Sequence, residues 1–210
     1  MASGEVTLRS YQFIDSLQPQ LTSHICSTCK GFFPTPGVAS LFIEIAPGMQ
    51  VHRLLDRALK ATNVSPAMLI VERAYGMMEV HHDDKGQVLA AGQAVLDFME
   101  LNEASRMKPK VVSNEVIRAT EPYHAMIIDK LRFGSMIEPG ESLLVVETVP
   151  AAYIAFAANE AEKAARVKLV EIRTFGAFGR LYMSGSEAEI DSARAAAEAA
   201  IVSITGVEKN

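Results

Sequence analysis

The chain is written twice. Offset by 103 residues, Pro19 falls on Pro122 and, without a gap, Ser10 on Ser113, Ile14 on Ile117, Gly31 on Gly134, Pro36 on Pro139 and Gly37 on Gly140. The same offset lays Leu41 on Leu144, Glu44 on Glu147, Pro47 on Pro150, Ala58 on Ala161, Lys60 on Lys163, Val64 on Val167, Ala74 on Ala177 and Gly76 on Gly179. Many of these matches are Gly, Pro or charged residues, which coincide by chance less readily than Ala or Leu. A shift of one residue after Gly76 then aligns GQVLAAGQAVL with AEIDSARAAAE. A repeat of this length implies two copies of one domain, residues 1–104 and 105–210, joined near NEASRMKPK.

The second copy shows the plan of both. KVVSNEVI (110–117) alternates and predicts a strand. PYHAMIIDKLR (122–132) predicts a helix with Pro122 in its first turn. SLLVVETV predicts a strand rich in β-branched residues. AAYIAFAANEAEKAA carries apolar residues at three- and four-residue steps, the period of a helix. VKLVEIRTF and RLYMS predict strands joined by a turn at Gly176 and Gly179. A final helix starts at Ser186, where Glu189 gives capping-box spacing. The strand connections are too short for parallel crossovers. The expected fold class is therefore α+β (α/β only loosely): per copy, a small, largely antiparallel sheet flanked by helices, ferredoxin-like.

The totals exclude some classes. The 210 residues suffice for two small domains, with an ordinary soluble balance of 49% apolar and 21% charged residues. A net charge of −5 argues against nucleic acid, whose affinity comes from neutralising phosphates with Lys and Arg. No apolar run approaches the ~20 residues that cross a bilayer. No secretion signal opens the chain, and two cysteines fit a reducing, cytoplasmic setting.

Three stretches bear on chemistry. VERAYG (71–76) ends one apolar run and TFGAFG (174–179) ends its counterpart, but only the first carries charge, Glu72 and Arg73. On the residues alone, an ordinary surface ion pair is the simpler reading of those two. HICSTC places His24 near Cys26 and Cys29, but no second Cys/His pair completes a zinc site. A structural role is expected, with no metal and no cofactor. VHHDDKG is most simply a strand end and a helix cap at Asp83 or Asp84. No nucleophile–base set or phosphate-binding glycine loop is present, so no enzyme activity is expected.

VVETVPAAYIAFAANEAEKAARVKLVEI (145–172) resembles the signature of the bacterial microcompartment shell domain, and GAFGRLYMSGSEAEI fits the turn, strand and helix start that follow. FIEIAPGMQVHRLLDRALKATNV (42–64) is a looser match of the same kind. LRSYQFIDSLQPQ, IEIAPG, VERAYG and GAFGRL are similar to the permuted, tandem-domain shell proteins of carboxysomes. The resemblance implies a homotrimer of pseudohexameric shape, two trimers stacked face to face, packed among other hexameric shell proteins. It also implies a central pore gated by Glu72 and Arg73, with the aligned Phe175 and Gly176 uncharged beside them. An arginine ring there implies passage of small anionic metabolites such as sugar phosphates. Lys60 and Lys163 are implied at the oligomer edge. The alternatives are a shell protein of a metabolic, non-carbon-fixing microcompartment, or a ferredoxin-like regulatory protein that binds ligands between subunits.

Overall fold

The computed structural model describes residues 6–208. The first half runs β1 (Thr7–Ile14), α1 (Pro19–Thr28), β2 (Ala39–Ala46), α2 (Val51–Ala61), β3 (Ser65–Glu72), β4 (Tyr75–His82) and α3 (Lys85–Met99). The second half repeats it as β5 (Lys110–Ile117), α4 (Pro122–Asp129), β6 (Ser142–Val149), α5 (Ile154–Ala164), β7 (Lys168–Arg173), β8 (Gly179–Gly185) and α6 (Glu187–Val202). From β1 to β3, each element starts 103 residues before its counterpart. The sheets have the orders β1-β2-β4-β3 and β5-β6-β8-β7, and every neighbouring pair is antiparallel. The α+β architecture expected from the short connections is the one observed.

The amphipathic patterns decide which faces are covered. In the first half, Leu41, Ile43 and Ile45 of β2 meet Leu54 of α2 and Val88 and Val95 of α3 in one buried cluster. The second half builds its counterpart from Leu144, Val146, Ala157, Ala161, Ile190 and Ala197, and this cluster takes in Leu21 and Ile25 of α1. The halves therefore share core: α1 belongs to the first by sequence and packs on α5 and β7 of the second. Each fully buried Leu or Ile contributes about 1.5–3 kcal/mol, so shared apolar residues hold the halves together. Gly37 and Gly140 turn the chain before β2 and β6 with φ of 92° and 90°, a left-handed backbone that side chains resist.

Three boundaries differ from the sequence expectation. The helix expected over 122–132 stops at Asp129, whose carboxylate accepts from Ile137 N at 3.1 Å and pairs with Arg132, drawing the chain back. The helix expected from Ala151 opens as a tighter turn, Ala151–Tyr153, before α5 proper. The strand expected to reach Phe175 ends at Arg173, because Gly176 at φ 102° turns the chain away. At α6 half of the expected capping box forms: Ser186 Oγ accepts from Glu189 N at 3.4 Å, while the Glu189 carboxylate accepts from Arg166 N at 2.7 Å. At VHHDDKG the cap is Asp84, which accepts from Gly86 N at 2.7 Å.

Candidate functional site: the paired hairpin tips

β3 and β4 form a hairpin whose last pair is Glu72 opposite Tyr75, leaving Arg73 and Ala74 as the turn. Arg73 takes a φ of 52°, which the tight reversal imposes on it. Gly48 N donates to Ala74 O at 2.8 Å, tying the tip to the entry of α2. That approach is possible because residue 76 is glycine: a Cβ there would lie 2.1 Å from Gly48 O. The second half repeats the device at the entry of α5, where a Cβ on Gly179 would lie 2.1 Å from Ala151 O. Each hairpin tip is thus set by backbone contact.

The two tips come together within one chain. Arg173, the last residue of β7, donates from Nη2 to Glu72 Oε2 at 2.9 Å. Its guanidinium also lies over the Phe175 ring, 4.8 Å from the centroid. Gly176 packs against the same Glu72 carboxylate, 3.5 Å from where a Cβ would stand. Sequence reasoning placed Glu72, Arg73, Phe175 and Gly176 at equivalent positions, and the fold makes Glu72, Phe175 and Gly176 neighbours through Arg173. Arg73 is exposed, and no ion pair or side-chain hydrogen bond joins it to a described residue. The carboxylate beside it in sequence is turned to the other half of the chain. Sequence reasoning missed Arg173, because its counterpart in the first half is Ile70 and nothing in the repeat marks it.

A buried ion pair braces this region. Arg9 Nε donates to Glu44 Oε1 at 2.6 Å, and Ala152 N at the entry of α5 donates to Glu44 Oε2 at 2.9 Å. Arg9 also stacks 3.6 Å from the Tyr75 ring centroid. Burial pushes the Glu44 carboxyl above its ordinary range, opposed by Arg9 and the backbone donors. The repeated Glu44/Glu147 match was the sequence signal for this brace. Glu147 accepts from Arg180 Nε at 2.7 Å instead, in a more exposed setting.

Lys60 and Lys163 sit in the last turns of α2 and α5. Lys60 pairs with Asp56 at 2.7 Å, and Lys163 with Glu160 at 2.8 Å and Asp15 at 3.4 Å. Cys26 and Cys29 are free thiols at the end of α1, with Cys26 Sγ donating to Pro34 O at 3.5 Å. Burial pushes both thiols above their ordinary pKa. His24 is buried and its Nε2 accepts from Ile172 N at 3.3 Å, so it serves the seam between the halves. A cavity of about 930 Å³ opens between α1, α4 and the outer face of the second sheet, with Cys29, Phe133, Arg173 and Tyr182 in its wall.

Comparison with known proteins matches this architecture. A family model described as the CsoS1D N-terminal domain matches residues 8–105. The carboxysome shell protein CsoS1D of Hydrogenovibrio crunogenus is 53% identical over 201 residues, covering 95% of this chain and 98% of that protein. The carboxysome shell protein CcmP of Synechococcus elongatus is 46% identical, covering 97% of this chain and 95% of that one. Among solved structures, the fused permuted hexameric shell protein of the RMM microcompartment superimposes with a TM-score of 0.93 at 41% identity, over 96% of this chain and 99% of that one. The double ringed trimeric shell protein of the same microcompartment gives 0.94 at 35% identity, over 97% and 100%. The repeated domain, the permuted strand order and these likenesses lead to one conclusion: the chain belongs to the tandem-domain carboxysome shell proteins of the CsoS1D and CcmP kind.

Proposed function

We propose that three copies of this chain close into a pseudohexameric ring, a tile of the carboxysome shell with a gated pore on its axis. The observation that supports it is a contact each chain makes once and leaves open once. α1 docks on α5 and β7 of its own second half: Glu162 accepts from Gln20 N and Leu21 N at 2.8 and 3.0 Å, and Asn159 accepts from Gln18 N at 2.9 Å. α4 is the counterpart of α1, but no described element receives it in the same way. Tyr123 and Ile127 stand 73% and 55% exposed where Gln20 and His24 are engaged in α1. The receiving positions on the first half, Leu59 and Leu69, are also exposed. The hydrogen-bonding pairs of the internal seam thus become apolar pairs, Tyr123 with Leu59 and Ile127 with Leu69.

The helix cap moves accordingly. Glu162, which caps α1 from across the seam, is replaced by Leu59, while α4 carries its own cap, Glu121 accepting from Tyr123 N and His124 N. α4 of one copy can then dock on α2 and β3 of the next without leaving a first-turn donor unpaired. Three such contacts alternate with three internal seams and close the ring.

In this ring the tips that carry Glu72, Arg73, Phe175 and Gly176 surround the axis, with charge on alternate tips. An arginine ring favours small anions, sugar phosphates and phosphoglycerate among them. Two rings stack face to face; that the RMM relative is described as double ringed supports a second ring. Lys60 and Lys163 lie on the outer edge, toward neighbouring hexameric shell proteins. The protein works as a wall and a gate, with no catalytic step. Native mass spectrometry tests the ring: the wild type is expected as trimers and stacked hexamers of chains, and Ile127→Glu as folded monomers. A wild type found only as monomers or twofold dimers, or an Ile127→Glu variant that still forms trimers, overturns the proposal.

A further inference from the structure

We infer that Arg173 is a third charged member of the gate, a latch that holds the Glu72 carboxylate away from Arg73. The inference rests on the proposed pore and names how its charges are arranged. Two arginines neighbour one carboxylate, Arg73 along the chain and Arg173 across the seam. Arg73 is next to Glu72 in the chain, yet the carboxylate is bonded to Arg173 of the second half at 2.9 Å. Arg173 is held for this task, since its guanidinium rests on the Phe175 ring at 4.8 Å while its outer edge faces Glu72. Gly176, at φ 102°, leaves room against the carboxylate that a side chain would take.

The consequence is a competition. With Glu72 turned to Arg173, Arg73 is left cationic and unpaired at the tip. With Glu72 turned to Arg73, that charge is neutralised and Arg173 is released. Both partners of the observed pair are substantially exposed, Arg173 at 46% and Glu72 at 33%. Exposed pairs of this kind are weak, so neither arrangement is locked and the two can exchange. An anion entering the pore binds the free Arg73 and so favours the arrangement in which Arg173 keeps the carboxylate. Differential affinity for two arrangements is what shifts such an equilibrium. The latch gives an uncharged tip, Phe175 and Gly176, a part in gating: it supplies the shelf and the gap that keep Arg173 in place.

The test is cryo-electron microscopy of the assembled full-length protein, sorting each chain by whether Glu72 faces Arg173 or Arg73. In Arg173→Gln the ratio is expected to move toward Arg73 by up to about fivefold, the reach of an exposed ion pair, with Arg173→Lys restoring part of the shift. An unchanged ratio, with Glu72 still at the axis, overturns the latch and leaves the gate standing. Glu72 found away from the axis in the wild type overturns both. A second measurement needs no variant: adding inorganic phosphate, an anion the unpaired Arg73 would bind, is expected to raise the occupancy of the Glu72–Arg173 arrangement in the wild type, and a constant occupancy overturns the latch.

Discussion

Cys26 and Cys29 illustrate how a side chain's setting decides its chemistry. Both thiols lie at the C-terminal end of α1, where the helix dipole disfavours a negative charge, and burial raises their pKa further. The sign follows directly: with the pKa raised, the thiolate fraction at a given pH is below that of a free cysteine, ordinarily half ionised near ~8.5. Alkylation by iodoacetamide is therefore expected to be slower than for a cysteine peptide at pH 8. The deficit should narrow as pH rises beyond the raised values. A rate equal to the peptide's at pH 8 would show that burial does not control these thiols. The Cys-x-x-Cys spacing is here a helix end, and spacing alone does not reveal which end of a helix a cysteine pair will occupy.

Among the elements, the hairpins were legible in the sequence to a point. The glycines at 76 and 179, the apolar runs before them and the lost charges of the second copy were visible in the letters. That Gly76 is needed because Gly48 O lies where its Cβ would be was not, since the contact joins residues on different elements. Gly76→Ala is expected to cost about 2–3 kcal/mol, as overpacking against backbone usually does, read as a lower midpoint in chemical denaturation; an unchanged midpoint would mean that the tip is free to move. The strands of the second half were read almost residue for residue, because alternation and β-branching state them locally. The ends of α4 and β7 were missed, for they depend on Asp129 reaching Ile137 N and on the φ of Gly176. Arg173 was missed for the same reason: its partner lies 101 residues away, in the other copy.

For the whole molecule, the repeat predicted the architecture, while the proposed gate rests on departures from the repeat. Lys60 and Lys163 are retained in both copies although their local partners differ, Asp56 in one and Glu160 with Asp15 in the other. The proposed place of both lysines at the tile edge is a role the two copies would share, and it is open to test. The double variant Lys60→Glu with Lys163→Glu is expected to keep its ring in native mass spectrometry yet co-sediment less with hexameric shell proteins. Undiminished co-assembly would reduce both lysines to solvated side chains.

The seam between α1 and the second half has a consequence for how such a tile is made. Because that contact lies within one polypeptide, half of the six joints in the proposed ring are already closed when the chain folds. Ring formation then depends on the third power of protein concentration, where six separate domains would require the sixth. Dilution that would scatter a ring of single domains leaves each of these chains with one joint intact. A tile of this design can assemble while scarce, because half of its assembly is carried as covalent sequence.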